Sequence, residues 1–178
     1  MLKKDSKDFE AALISREPSA EIEKAERMYD WLIGSWDIRV IDHLKDGSKL
    51  EQDGEWIFSR VLEGRAVQDI FIVPKRAHRS PAISKVGNRY GFTLRMYDKD
   101  SKSWNIFWFN PVSGVRNHLA GTWVGKNIVQ SGKDENGNLM RWSFTEIKPD
   151  SFHWLGEVSD NHAASWKLTV EFFSVRKK

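Results

Sequence analysis

From Gly34 onward the chain stops repeating at helical spacing and alternates apolar with polar residues in short runs broken by turn signals. Those signals are Asp46-Gly47, Glu63-Gly64, Asp98-Lys99-Asp100, Pro111 to Gly114, Gly125-Lys126, Asn136-Gly137, Lys148-Pro149-Asp150 and Ser159-Asp160-Asn161. Between them the alternation predicts strands at 35–44, 50–62, 65–73, 90–97, 103–110, 115–124, 127–132, 139–147, 151–158 and 165–176. Consecutive strands with hairpin-length links and no helical pattern between them make an up-and-down antiparallel sheet, and such a sheet removes its open edges by closing into a barrel. The fold class is therefore all-β, an antiparallel up-and-down barrel of about ten strands. The one irregular link, 74–89, is basic and carries Pro74 and Pro81; it reads either as a flap over a barrel mouth or as a plain surface loop.

Ahead of the strands lie two weaker signals. Residues 1–18 form an extension with a short amphipathic pattern over 5–16 (Phe9, Ala12 and Leu13 against Lys4, Asp8 and Glu10) that stops before Pro18. The barrel domain then occupies 19–178. Ser19 as an N-cap, Glu21 and Glu23 near the start, and Ile22, Ala25, Met28, Tyr29 and Leu32 at helical spacing predict a leading helix over 20–32.

The 178 residues are 40% apolar and 30% charged, which places them with globular chains of one domain rather than disordered ones. A net charge of +3 is too small to argue for a nucleic-acid partner. There is no cysteine, so disulfides, thiolate catalysis and Cys-ligated metals are excluded, and a reducing, cytoplasmic setting is the expectation. No run is apolar enough for a signal peptide or a membrane span. Nine Trp and ten Phe against three Tyr is a heavy aromatic load, which a fold of this size places in a core or around an apolar ligand.

Hairpin geometry couples the faces of neighbouring strands. With Glu63-Gly64 as a two-residue turn, Arg60 faces Val67, Phe58 faces Asp69 and Trp56 faces Phe71. The aromatic face, with Trp56, Phe58, Leu62, Val67, Phe71 and Val73, is read as interior and carries Arg60 and Asp69 with it; the opposite face, with Ile57, Val61, Ile70 and Ile72, is also apolar enough to be buried. The same reasoning aligns Leu119, Trp123 and Ile128 inside and His118 outside. It pairs Met140, Trp142 and Phe144 with Phe152, Trp154 and Val158, leaving His153 and Glu157 outside. Trp36, Ile38, Val40 and Leu44 in the first strand, and Trp166, Leu168, Val170 and Phe172 in the last, give the clearest inward rows.

Chemistry-bearing motifs are sparse. Three of the five histidines face outward, and His78 and His162 fall in predicted loops, so neither a metal site nor a haem ligand is expected. No nucleophile elbow and no phosphate-cradling glycine motif occurs. Asp69 and Asp42 fall on interior faces, where a carboxylate serves as a ligand clamp or general acid, or simply pairs, Asp69 with Arg60 across its hairpin. In the most aromatic segment, Trp104 to Pro111, Asn110 stands at a strand end, either to orient a ligand through its amide or to open the next turn; Asn117 is a second polar candidate. Base stacking by rings and arginines is not favoured, because the large rings fall mainly on the inner face.

Gly34-Ser35-Trp36, directly after the predicted helix, is similar to the G-x-W element of lipocalins and other calycins, in which the Trp plugs one barrel end and a basic residue of the last strand packs across it. The resemblance gives that place to Arg176, with Lys177 or Lys167 as substitutes. The wider pattern, Trp31-Leu32-Ile33-Gly34-Ser35-Trp36, Val61-Leu62-Glu63-Gly64-Arg65-Ala66, Leu94-Arg95-Met96-Tyr97-Asp98 and Trp108-Phe109-Asn110-Pro111, resembles the uncharacterised bacterial DUF1579-type lipocalin-like proteins over about residues 29–176. It implies a calycin-like barrel and no particular reaction. The glycine run that follows the first Trp of nitrobindin-like haem barrels is absent, since Asp37-Ile38-Arg39-Val40 stands there, which argues against haem carriage.

The leading expectation is a binder of a small, largely apolar molecule inside the barrel, with Trp56, Phe58, Trp108 and Trp142 as walls and Arg60, Asp69, Asn110 and Asn117 orienting the ligand; an interior Arg favours an anionic head group. No cofactor is expected. An acid/base enzyme using Asp69 or Asp42 with Arg60 or Arg95 on a small aromatic or isoprenoid substrate is the alternative. In a third reading the rings fill the barrel and the outer residues Phe107, Phe109 and Ile41 join two copies into a homodimer.

Overall fold

The computed structural model describes residues 2–83 and 87–178. After α1 (Leu2–Leu13) and a two-residue strand β1 (Ile14–Ser15), the chain makes 3-10 turns at Lys24–Glu26 and Asp30–Leu32 and then enters the sheet. The sheet strands are β2 (Gly34–His43), β3 (Lys49–Val61), β4 (Ala66–Val73), β5 (Arg89–Asp98), β6 (Ser103–Asn110), β7 (Val115–Val124), β8 (Asn127–Lys133), β9 (Leu139–Thr145), β10 (Ser151–Ser159) and β11 (Lys167–Arg176). Each pairs antiparallel with its sequence neighbour, and β11 pairs with β2, so the ten strands β2 to β11 close into a barrel. This is the predicted fold class, and each predicted strand is present. The link 74–89 carries a 3-10 turn at Arg76–His78 that is tied to the barrel by Arg76 on Glu55; residues 84–86, inside the segment weighed as a flap, lie outside the described residues.

The β3–β4 register matches the hairpin arithmetic: Arg60 lies across from Val67, Phe58 from Asp69 and Trp56 from Phe71. The turn itself is longer than two residues, because pairing ends at Val61 and Ala66. Leu62 and Glu63 take positive φ values of 55° and 59°, and Leu62 is turned out to solvent rather than inward. Gly64 follows at φ 76°, and a Cβ there would stand 2.3 Å from the Glu17 carbonyl oxygen, so the approach of the N-terminal segment requires glycine.

The helix predicted over 20–32 does not form, while the weaker amphipathic signal before it becomes α1, the one α-helix among the described residues. The reason lies in where the backbone carbonyls of 19–33 go. Arg27 donates to the carbonyls of Ile22 and Ser19, Trp104 Nε1 to that of Glu26 (2.8 Å), Trp36 Nε1 to that of Leu32 (2.8 Å), and Arg176 to those of Ile33 and Trp31. Carbonyls held by barrel side chains are lost to i→i+4 bonding. The helical-looking apolar residues instead plug one barrel end, where Ile22, Met28, Tyr29 and Leu32 are all buried. Over this plug the Arg176 guanidinium stacks on Trp36 at 4.1 Å, as the calycin resemblance implies.

Trp56 sits at the centre of the core, with Phe58, Phe71, Phe144, Phe152, Trp154 and Phe172 at ring-centroid distances of 4.9–6.3 Å. Further inward expectations fail at strand ends. Trp123 is 45% exposed at the tip of the β7–β8 hairpin. In β11 a bulge puts Leu168 opposite Glu157 while Val170 stays opposite Gly156. One extra residue moves the preceding side chains to the other face, and Trp166 lies under the Arg141 guanidinium on the outside.

The outer face of the β2–β11–β10 seam carries a histidine–carboxylate cluster. His43 Nε2 and His153 Nε2 each reach one oxygen of Glu171, at 3.0 and 2.9 Å. Burial raises the Glu171 pKa, but the hydrogen bonds from the two imidazoles outweigh it and hold the carboxyl below its ordinary 4.5. A depressed folded value means that the stability Glu171 contributes is present above 4.5 and is lost as pH falls through the folded value. In denaturant titrations across pH, Glu171→Gln should be destabilised near neutrality, with the gap to wild type closing in the acid limb. Parallel curves would show that the cluster carries no proton linkage.

Candidate functional site

The rings do not fill the whole barrel. Away from the Trp36 plug a cavity of about 110 Å³ remains, walled by Trp56 (β3), Phe71 (β4), Arg89, Thr93 and Arg95 (β5), Trp108 (β6), Trp142 (β9), Trp154 (β10) and Val170 and Phe172 (β11). Trp108, Trp142, Val170 and Arg89 are only half-buried, so they mark the solvent side, while Trp56, Phe71 and Trp154 form the floor.

Strand β5 supplies the polar part of the wall. Side chains two apart share a strand face, which aligns Arg89, Gly91, Thr93 and Arg95 inward. Gly91 has a packing reason: a Cβ there would stand 2.8 Å from the Trp108 ring and 2.1 Å from the Phe109 carbonyl oxygen. Arg95 is fully buried and ion-paired with Asp69, whose other oxygen accepts from the Thr93 backbone N–H at 3.2 Å. The Arg95 guanidinium also lies over the rings of Tyr29 (5.2 Å) and Phe58 (5.4 Å). Beyond it the Tyr29 hydroxyl donates to Gln130 Oε1 at 3.1 Å, and burial pushes that phenol well above its ordinary pKa. Nearer solvent, Arg89 grips both oxygens of Asp42.

Of the predicted site residues, Trp56, Trp108 and Trp142 line the cavity. Phe58 is buried beside Trp56, outside the wall. Asp69 is buried behind the wall, and its partner is Arg95 instead of Arg60. Arg60 points to the plugged end, where it pairs with Asp30 at 3.1 Å and donates to the Arg16 carbonyl at 3.3 Å. Asn110 is spent on backbone: its Oδ1 accepts from Val112 N (3.2 Å) and Tyr90 N (3.4 Å), the turn-opening role. Asn117 is half-buried, with Nδ2 3.5 Å from Met140 Sδ.

As wall polar groups Arg89 and Thr93 have no place in the sequence reading, and Arg95 enters it only as a partner of the acids in the enzyme alternative. Their signal is the Arg-x-Gly-x-Thr-x-Arg spacing over 89–95, which alternates with Tyr90, Phe92, Leu94 and Met96 and so assigns neither face of the strand to the interior. Both candidate acids, Asp69 and Asp42, are ion-paired, and neither belongs to the wall. Among the described residues no group of three or more His, Asp or Glu is placed to hold a metal ion, and no helix is long and apolar enough to cross a membrane.

No family model and no curated protein matches the chain. Solved structures do. Rv2717c from M. tuberculosis superposes with a TM-score of 0.56 at 13% identity, covering 88% of this chain and 99% of that one. The S-type phycobiliprotein lyase CPES from Guillardia theta superposes with a TM-score of 0.50 at 11% identity, covering 88% and 94%. At such identities the likeness is one of fold, a calycin-like barrel.

Proposed function

We propose that the chain binds a small, largely apolar molecule in the open half of its barrel. The observation that supports this is the cavity itself, left between six large rings in an interior otherwise filled by them. Protein interiors pack without such voids unless something holds them open, and aromatic-lined concavities with few polar groups are what apolar ligands occupy. The volume, well below the ~300 Å³ where drug-sized pockets begin, limits the buried portion to about one ring. The absence of cysteine supports a cytoplasmic setting, and the Trp36–Arg176 stack supports kinship with calycin barrels.

Titrating the full chain with ethylbenzene should shift the indole N–H resonances of Trp56, Trp108, Trp142 and Trp154 in NMR spectra and raise the thermal midpoint. Val170→Phe, which grows into the cavity, should fold and lose both responses. A wild-type protein that gives neither response at saturating ethylbenzene overturns the reading. A native mass spectrum that releases a small molecule from the purified protein would identify the natural ligand directly.

An outer-face homodimer is a second reading, favoured by the neighbouring rings of Phe92 and Phe109 (5.2 Å between centroids), with Phe109 exposed. Ile41, also expected to help, is buried at 8% exposure and offers no surface. Light scattering that gives twice the mass of 20.7 kDa supports it, and the monomer mass excludes it.

A further inference from the structure

The cavity wall is incomplete on one side. Its side chains come from β3 to β6 and from β9 to β11, and none comes from β7 or β8. Strand β2 is also missing from the wall, but it is paired on both sides, with β3 over Gly34–His43 and with β11 over Trp36–Asp42, so the barrel is closed there. Between β7 and β8 the pairing runs from Val124 and Asn127 only as far as Leu119 and Gly132, whereas β7 stays paired with β6 up to Val115 and Asn110. Just past Lys133, which pairs with Leu139, β8 turns back into β9. The stretch from Val115 to Asn117 therefore overhangs the β8–β9 hairpin and leaves a notch in the barrel rim.

Two other overhangs at this rim are closed by backbone donors. Where β5 runs past β6, Asn110 Oδ1 accepts from the Tyr90 N–H (3.4 Å), and where β3 runs past β4, the Asp53 carbonyl accepts from the Lys75 N–H (2.9 Å). At the notch the polar contact that crosses is Asn117 Nδ2 to the weak acceptor Met140 Sδ, at 3.5 Å. A cleft of about 640 Å³ occupies the notch, with Arg116, Asn117 and His118 on one side and Lys133, Asp134 and Glu135 on the other. Asn117 joins this cleft to the cavity. Directly paired residues share a sheet face, so Thr93, Trp108 and Asn117 form one inward row across β5, β6 and β7, with Thr93 and Trp108 in the cavity wall. Beyond the notch Met140 shares its strand face with Trp142, a second wall ring. Trp108 and Trp142 are both half-buried, so the rings that flank the notch are ones that solvent reaches. The axial mouth, by contrast, is barred where Arg89 on β5 grips Asp42 on β2 across the ends of β3 and β4.

We infer that small molecules reach the cavity sideways, through the notch between β7 and the β8–β9 hairpin and past the Asn117 side chain, rather than past the Arg89–Asp42 bridge. The inference deepens the binding reading by naming its route, and it rests on the same cavity. It also gives a ligand longer than the cavity a place for its outer end, in the notch.

The chain has no cysteine, so Thr93→Cys, a near-isosteric change at a wall residue of 3% exposure, puts a single thiol inside the full-length protein. Its modification by methyl methanethiosulfonate, followed by intact mass, measures access to the cavity. The thiol should react much faster than the protein unfolds globally. On this background Asn117→Trp should slow the reaction about tenfold and Asn117→Ala should speed it, whereas Asp42→Asn should leave it within about twofold. Thermal unfolding checks that each variant folds, and if Asn117→Trp does not, Asn117→Ala decides, with no gain in rate counting against the route. Fast labelling that Asn117→Trp does not slow, or that Asp42→Asn speeds more than Asn117→Ala does, overturns the route and leaves the open cavity standing. Labelling no faster than global unfolding in every variant means a sealed cavity and overturns the route and the binding reading together.

Discussion

Asp69→Ala should cost about 3–5 kcal/mol of folding stability, the largest effect expected of any single substitution behind the cavity wall. The carboxylate is the ion-pair partner of Arg95 in a place where both side chains are shut off from water. Removing it leaves a guanidinium charge in the interior with the hydroxyl of Tyr29 and the rings of Tyr29 and Phe58 beside it, and no countercharge. The pair as a whole is a different matter. Two desolvated charges recover little net free energy from each other, so Asp69→Leu combined with Arg95→Met should lie within about 1–2 kcal/mol of wild type. Denaturant unfolding of Asp69→Leu, Arg95→Met and the double variant closes the cycle. Additive losses would mean that Arg95 finds water or another partner once Asp69 is gone. The double variant, which also strips the wall of its deepest cation, should fold.

The second large effect belongs to the opposite end. Trp36→Ala should lose about 3–5 kcal/mol, in the range of large aromatic truncations in cores. Trp36 is 1% exposed, packs edge-on against Phe152 at 4.8 Å and holds the plug segment through its bond to the Leu32 carbonyl. Its removal also strips Arg176 of the ring it covers. Trp36→Phe keeps a ring and forfeits the N–H donor and some volume, so its loss should be clearly smaller. If the two variants unfold at the same denaturant concentration, the hydrogen bond to Leu32 carries the effect and the packing does not.

The strands and the barrel could be read from the chain because alternation and turn residues are local signals, and hairpin geometry carries the register from one strand to the next. The β3–β4 pairing came out correctly even though its turn is two residues longer than expected, since lengthening the loop symmetrically leaves the partners in place. The cavity was harder. Strand β5 is inverted, with Arg89, Thr93 and Arg95 inside and Phe92, Leu94 and Met96 on the outer side, against the usual rule that apolar residues mark the core. A partner for Asp69 was therefore sought on its own hairpin, at Arg60, when it lay one strand further along. The helix expected over 20–32 failed for a related reason: its apolar spacing is real, but its carbonyls are claimed by side chains both near in sequence (Arg27, Trp36) and far from it (Trp104, Arg176), and apolar periodicity registers neither.

The ladder of the barrel also has a temporal meaning. Nine of its ten strand pairings join neighbours in sequence, and only β11 with β2 brings the two ends of the sheet together. Nearly all of the pairing can zip up hairpin by hairpin at small loop-closure entropy, and the remaining cost falls on one late event. Arg176 sits at that event. Its backbone pairs with Trp36, and its side chain takes the carbonyls of Ile33, Trp31 and Pro149, so Arg176 is the clasp of the ring. Until β11 reaches β2 the polypeptide is an open, twisted ribbon with two unsatisfied edges.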